Sequence, residues 1–161
     1  MAKKIYLDIR SEPALFTLLG ISCHLRDYRL SYLFNHHLGF SFIKRDDLRI
    51  ISSTNKGEAA FSFYIYWNEE RLNTFYLIAN RSQDFVLVQE MKQFDFLLIV
   101  EGKYNKVEKD FMMKTIRSLP SILTVFEIRF TEIKNYESLL TDIEMHVMNI
   151  QKVPKIKYQP K

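Results

Sequence analysis

The sequence predicts an α+β fold: a two-layer sandwich in which a largely antiparallel β-sheet carries about three helices, packed mainly on one face. Three observations predict this class. Strand-like segments outnumber helical ones by about two to one. Those between Phe40 and Glu101 follow one another through short polar connections, without an intervening helix. Within them, aromatic and β-branched residues alternate with polar ones at a period of two, which is typical of antiparallel strands.

The first predicted elements are a strand and a helix. The run from Leu15 to Ser22 is almost continuously apolar, as in a strand that is covered on both faces. Helical spacing follows, with Ser22 as the N-cap, Asp27 in the first turn and Gly39 just after the last turn. The apolar stripe of this helix comprises Leu30, Leu33, Phe34, His37 and Leu38.

A meander of strands is predicted next. Turn signals at Asn55-Lys56-Gly57 and Asn68-Glu69-Glu70 divide it. The predicted strands are Ser41–Lys44, Leu48–Ser52, Ala59–Trp67, Leu72–Asn80, Phe85–Val88 and Phe94–Val100.

The last third of the chain predicts a helix, a strand and a helix. The second helix is predicted to begin at Asn105, which has capping-box spacing to Glu108, and to stop before Pro120. A strand from Ile122 to Thr131 follows. The third helix, from about Tyr136 to Gln151, has the clearest amphipathic pattern in the chain.

Residues 1–151 are predicted to form a single domain, with Pro154 ending the last helix and residues 152–161 forming a short, flexible basic tail. The tail holds four lysines and no acid, which accounts for the net charge of +4 and leaves residues 1–151 neutral. A neutral body argues against nucleic acid as a partner, because nucleic-acid binding needs a basic folded surface. Weak contact of the tail with RNA, DNA or an acidic partner stays open.

Cysteine usage and hydropathy predict a cytoplasmic protein. A lone cysteine, Cys23, rules out an internal disulfide and fits a reducing compartment. The residues after Met1 do not form the apolar core of a signal peptide. The longest apolar stretches, such as Phe94 to Val100, are far too short to span a bilayer, so no membrane partner is expected.

The junction of the first strand and first helix is the first candidate site. Cys23 is predicted to lie at a helix start, where the dipole favours a thiolate, so it is either a reactive thiol or a packed structural cysteine. The segment Arg26-Asp27-Tyr28-Arg29 places polar groups beside the end of a buried strand, a common location for a bound ligand. In the alternative interpretation, Asp27 only stabilises its own helix and the arginines are solvated.

Two carboxylates form the second candidate site. Glu90 and Asp95 could do acid–base work if they converged. Asp95 lies between Phe94 and Phe96 in an apolar strand, so it is expected either at a sheet edge or beside Arg or Lys, and Asn80-Arg81 offers a local partner.

No metal, cofactor or catalytic residue is predicted. The adjacent His36 and His37 would point about 100° apart on a helix and could not chelate together. Neither His24 nor His146 has chelating spacing to another histidine. The sequence contains no glycine-rich phosphate loop, no Ser/His/Asp order and no cysteine pair.

The segment from Val88 to Phe96, VQEMKQFDF, resembles the signature that names the IPExxxVDY family of small bacterial proteins. Glu90 and Asp95 match that signature, while Val, Gln, Phe and Phe replace its Ile, Pro, Val and Tyr. The run CHLRDYRL, which begins at Cys23, is similar to the DYRL-containing first helix of the family. The resemblance implies a bacterial cytoplasmic protein and carries over no catalytic residue.

The aromatic meander predicts a partner surface. Large residues lie on both faces of the predicted sheet, and three helices are too few to cover them, so a homodimer interface is the simplest expectation. These residues are Phe61, Phe63, Ile65 and Trp67 on one face and Tyr64 and Tyr66 on the other. The sequence therefore favours a non-enzymatic interaction or regulatory domain. A small-ligand binder or enzyme that uses the first helix N-terminus, and a nucleic-acid accessory protein that uses the tail, are the alternatives.

Overall fold

The computed structural model describes residues 16–52 and 57–157 of the chain, with side chains for 16–51 and 57–151. This part of the chain contains three α-helices and eight strands. The helices are α1 (Asp27–Leu38), α2 (Lys106–Ser118) and α3 (Tyr136–Lys157). The strands are β1 (Phe16–Cys23), β2 (Ile43–Ser52), β3 (Gly57–Asn68), β4 (Asn73–Ala79), β5 (Arg81–Ser82), β6 (Phe85–Val86), β7 (Phe96–Glu101) and β8 (Ile122–Ile128). The predicted turn at residues 55 and 56 and the lysine side chains of the tail lie outside these ranges. No helix within the ranges is long and apolar enough to cross a membrane.

Six strands form one antiparallel sheet in the order β2-β3-β4-β7-β1-β8. The short strands β5 and β6 pair separately. The predicted α+β fold with a largely antiparallel sheet is confirmed. β1 lies between β7 and β8 and is covered on both faces, with Leu18 in one core and Leu19 in the other, as its continuous apolar sequence predicted.

Helices cover both faces of the sheet. On one face, α1 and α2 contribute Phe34 and Ile116 to a core that includes Leu98. On the other face, α3 contributes Ile143 to a core that includes Leu97. Two helices therefore share one face, as predicted, but the third adds a layer, and the two expected layers become three. The reason is that neighbouring strand residues point to opposite faces and are apolar on both.

The aromatic strand β3 lies inside these layers. Phe61, Phe63 and Ile65 are buried in the core that α3 closes, and Tyr64 is buried on the opposite face. Four of the six sheet residues that motivated the expected homodimer interface are therefore buried within one chain, while Tyr66 and Trp67 are half-buried.

Two element boundaries in the first half differ from their predicted positions. α1 begins after Arg26 and not after Ser22, because β1 continues to Cys23 and Arg26 itself is extended (φ −76°, ψ 161°). At the other end, Gly39 has the left-handed φ of 71° that its predicted terminating role requires. The predicted corner between two strands is a register shift within β2, between Arg45 and Leu48, so both strands form one.

The second half follows its local signals more closely. The capping box of α2 is confirmed: Asn105 Oδ1 accepts the N–H of Glu108 at 2.7 Å, and the N–H of Asn105 donates to Glu108 Oε1 at 3.3 Å. β6 ends at Val86, two residues before its predicted end, because the N–H of Val88 donates to the Asn80 side chain and not to a strand; a 3₁₀ helix follows at Gln89–Met91. β8 ends at Ile128, and a second 3₁₀ helix, Phe130–Glu132, replaces the last predicted strand residues.

α3 continues past Pro154, so the prediction that this residue ends the helix is wrong. A proline within a helix leaves the carbonyl four residues earlier without its N–H donor. That carbonyl belongs to Ile150, and Arg45 Nη2 donates to it from β2 at 3.1 Å. One turn earlier, His146 Nε2 donates to the main-chain oxygen of Asp46 at 2.7 Å. The register-shifted part of β2 thus supports the last turns of α3.

Candidate functional site

Asp95 fixes the end of β1 at the predicted candidate site. Its Oδ2 accepts the main-chain N–H of Cys23 at 2.9 Å, and its own N–H donates to the carbonyl of Ile21 at 2.8 Å. Arg81 Nε lies 3.4 Å from the other carboxylate oxygen, which confirms the predicted ion pair. The carboxylate of Asp95 therefore joins β1 to the segment that precedes β7.

Cys23 is packed at this junction. Its side chain is buried in the core beneath α1. Burial raises the pKa of the Cys23 thiol, a main-chain hydrogen bond from Leu25 lowers it, and the charge of Asp95 raises it again. The resulting pKa is above the ordinary value, which disfavours the thiolate that nucleophilic chemistry needs.

Asn80, at the end of β4, organises the segment from Val88 to Phe96, which resembles the family signature and is called the signature segment below. Its side chain is fully buried, and Nδ2 donates to the carbonyls of Met91 at 2.9 Å and Phe94 at 3.0 Å. Its Oδ1 accepts the N–H of Val88 at 2.9 Å. Sequence reasoning offered Asn80 only together with Arg81, as a local partner of Asp95, and missed this network. The signal for the network was an asparagine that closes a strongly apolar strand, where a buried amide needs partners.

Glu90 fixes the same segment to a different part of the chain. Its Oε2 accepts the main-chain N–H of Lys134, which lies in the connection before α3, at 3.0 Å. Asp95 serves β1 and Glu90 serves the approach to α3, so each signature carboxylate accepts a main-chain N–H from a segment distant in sequence. Both hydrogen bonds hold the main chain of a distant segment in place.

Asp27 turns towards the sheet and anchors the first turn of α1. Its Oδ2 accepts the hydroxyl of Tyr64 at 3.1 Å and lies 3.7 Å from Lys44 Nζ. Burial raises the pKa of the Asp27 carboxyl, but hydrogen bonds from Ser62 and Tyr64 lower it. A main-chain hydrogen bond from Tyr28 and the charge of Lys44 lower it further, so the pKa lies below the ordinary value.

The contact with Asp27 raises the pKa of the Tyr64 phenol, whereas it lowers that of the Asp27 carboxyl. Burial, the Asp27 charge and the hydrogen bond to Asp27 together raise the pKa of Tyr64 to about 12. Lys44 Nζ lies 5.0 Å from the centre of the Tyr64 ring, so the phenol, the carboxylate and the ammonium form one group. This group joins α1 to β2 and β3.

The other predicted residues of the junction form an exposed surface on α1. We call it the α1 outer face; it consists of Arg26, Tyr28, Arg29, Tyr32 and His36. Tyr28 and Tyr32 lie one turn apart and are 60% and 61% exposed. The Tyr32 ring stacks on that of His36, with 5.9 Å between centroids. The structure thus separates Asp27 from the three residues with which it was grouped, because only Asp27 lies on the inner side of the helix.

The histidines do not converge on a metal site in the described part of the chain. No group of three or more His, Cys, Asp or Glu side chains there could hold an ion. The rings of His36 and His37 meet edge to face, with 4.9 Å between centroids. His37 was assigned to the apolar stripe of α1, but it is exposed, because the stripe ends in the half-buried Leu38 beside Gly39.

The chain was compared with family models and with curated proteins. No family model matches the chain, and no curated protein matches it. The resemblance to the IPExxxVDY family therefore stays a prediction, carried by the residues from which it was drawn.

Proposed function

We propose that this protein is a non-enzymatic cytoplasmic interaction domain that binds an acidic segment of a partner protein through the α1 outer face. The observation that carries the proposal is the pair Tyr28 and Tyr32, each of which is more than half exposed, at successive turns of one helix. Aromatic residues and arginine are enriched at the centres of protein–protein interfaces. Tyrosine also offers a large contact area while losing little conformational entropy.

The charge of the surface indicates the kind of partner. Arg26 and Arg29 flank Tyr28, and both are exposed. The acid within this segment, Asp27, is engaged by Tyr64 and Lys44 on the inner side of the helix. The α1 outer face therefore presents aromatic rings and positive charge, which complement a negatively charged and partly apolar segment.

The polar residues of the junction support binding over catalysis. Asp95 and Glu90 hold main-chain N–H groups, and the Cys23 thiol is buried with a raised pKa. A general base or nucleophile must be able to reach its substrate, and these groups are committed to the fold. The proposal includes membership of the bacterial IPExxxVDY family. A homodimer also belongs to it, on a surface other than the covered sheet faces.

The test is capture of partners from a native lysate by the wild type and two double variants, followed by mass spectrometry. Tyr28→Ala with Tyr32→Ala removes the aromatic pair of α1. Val107→Ala with Phe111→Ala is the matched control, because these residues are an exposed apolar pair one turn apart on α2.

We expect at least one partner that binds the wild type and the α2 control, is lost by the α1 variant, and binds less strongly as salt is raised. Identical captured sets for all three proteins would overturn the proposal.

A further inference from the structure

The two edges of the sheet differ in how they face solvent. Both edge strands contain a register shift against their neighbour, but β2 also carries charge along most of its length, which discourages pairing with another strand. Its charged residues are Lys44, Arg45, Asp46, Asp47 and Arg49. β8, the opposite edge, has the sequence ILTVFEI with a single charge, on Glu127. Lys109 Nζ neutralises that charge at 2.8 Å.

The main chain of β8 presents unpaired groups on its outer side. The carbonyl of Ile21 accepts the N–H of Asp95, so the polar main-chain groups of Ile21 point towards β7. Its partner on β8, Val125, therefore points away from β1, and so does Glu127 two residues later. The carbonyl of Val125 accepts Arg117 Nη2 at 3.0 Å. Within residues 16–52 and 57–157, the N–H groups of Val125 and Glu127 have no hydrogen-bond partner.

Two exposed apolar side chains flank this open edge. Phe126 is 54% exposed and contacts Phe94 of the core that α3 closes, and Leu123, at the register shift of β8, is 58% exposed. An apolar edge with free main-chain donors is a template for an additional strand. Such a strand would satisfy the donors and cover both side chains together.

We propose that this strand is β8 of a second copy of the chain, paired antiparallel about a two-fold axis through Val125. This register places Phe126 of each copy opposite Thr124 of the other, an aromatic and β-branched pair that stabilises antiparallel strands. It also places Glu127 opposite Leu123, so no like charges face each other. Two β2 edges would instead bring five charged residues from each copy together. The interface deepens the proposed function, on which it rests in part, because it locates the homodimer that this function includes; it does not use the α1 outer face.

Sedimentation of the full chain from about 1 to about 100 μM tests the interface. The wild type is expected to approach twice the chain mass of 19.3 kDa as concentration rises. Thr124→Lys with Phe126→Lys places lysines opposite each other and is expected to stay at the single-chain mass. Thr124→Lys alone leaves the contact between Phe126 and Phe94 intact and is expected to weaken association at least tenfold.

Tyr28→Lys with Tyr32→Lys is the matched control, since it adds the same charge on α1 and should leave the dimer intact. Amide hydrogen exchange provides a second measurement, in which the N–H groups of Val125 and Glu127 gain protection with protein concentration. A wild type of single-chain mass at every concentration, a dimer that survives both lysine variants, or protection independent of concentration would overturn the proposal. None of these outcomes bears on capture through the α1 outer face, so the two proposals fail separately.

Discussion

Arg45 supplies the hydrogen bond that Pro154 removes from α3. Its Nη2 lies 3.1 Å from the carbonyl oxygen of Ile150, the acceptor whose helical donor would be the N–H of residue 154. A helix that contains proline is thus stabilised by a side chain from an edge strand.

Replacing Arg45 by alanine is expected to lower the free energy of unfolding by about 1 to 2 kcal/mol, because the Ile150 carbonyl loses its donor. In a Pro154→Ala background the N–H of residue 154 can donate to the Ile150 carbonyl, so Arg45→Ala should lower the free energy of unfolding by less. Urea denaturation of the four proteins measures this coupling. Arg49→Ala, which removes another arginine of β2, is the control. Equal losses in both backgrounds would contradict this role for Arg45.

Asn80→Ala is expected to destabilise the protein by about 2 to 4 kcal/mol, because it leaves two carbonyls and one N–H of the signature segment without their partner. Asn149→Ala, at an exposed position of α3, should change stability by less than about 0.5 kcal/mol. The measurement is the midpoint and slope of chemical denaturation. A loss for Asn80→Ala no larger than that of the control would show that the network contributes little.

The carboxyl of Asp27 is expected to make the free energy of unfolding depend on pH in the acidic range. Its pKa is lower in the folded protein than the ordinary 3.8, so its contribution is complete above about pH 4 and is lost as pH falls through the folded value. Asp27→Asn should remove this part of the acid dependence. The difference in unfolding free energy between wild type and variant should therefore shrink as pH falls from 6 to about 2. Asp84→Asn, at an exposed loop position, is the control for the loss of one carboxylate from the chain.

The titration of the Tyr64 phenol tests the contact between Asp27 and Tyr64 independently. Its ionisation, followed by ultraviolet absorbance, is expected at a pKa of about 12. Asp27→Asn should move this pKa back towards the ordinary value of 10, but only in part, because burial is the largest cause of the shift. An unchanged titration in the variant would show that the Asp27 carboxylate does not reach Tyr64.

Thiol titration with an aromatic disulfide tests the packed state of Cys23. We expect the native thiol to react roughly 100-fold more slowly than the unfolded chain, because it is buried and its pKa is raised. Since Cys23 is the lone cysteine, the reaction in denaturant serves as its own reference. Equal native and unfolded rates would assign an accessible, reactive thiol to the junction.

Features set by neighbouring residues were predictable from the sequence. The capping box of Asn105 and Glu108 and the left-handed turn at Gly39 depend on a few consecutive residues, and both are confirmed. The pairing of Asp95 with Arg81 followed from one local constraint, a charge inside an apolar strand.

Features set by distant residues were not predictable. Pro154 is tolerated because of Arg45, which lies more than one hundred residues earlier in the chain. The partners of Asn80 lie in a turn whose path no periodic pattern describes. Asp27 and Tyr28 are adjacent in sequence but belong to different surfaces, and the turn of the helix that separates them depends on where α1 begins.

The position of β1 between β7 and β8 has a consequence for synthesis on the ribosome. β1 emerges early, but the strands on both sides of it are made only after residue 95, and the last of them ends at Ile128. In the interval, β2, β3 and β4 can form hairpins with one another, while the apolar strand β1 has neither of its two neighbours to pair with. The nascent chain must therefore keep β1 from misassociating until β7 and β8 have been made, which makes its folding yield sensitive to elongation rate and to chaperone supply.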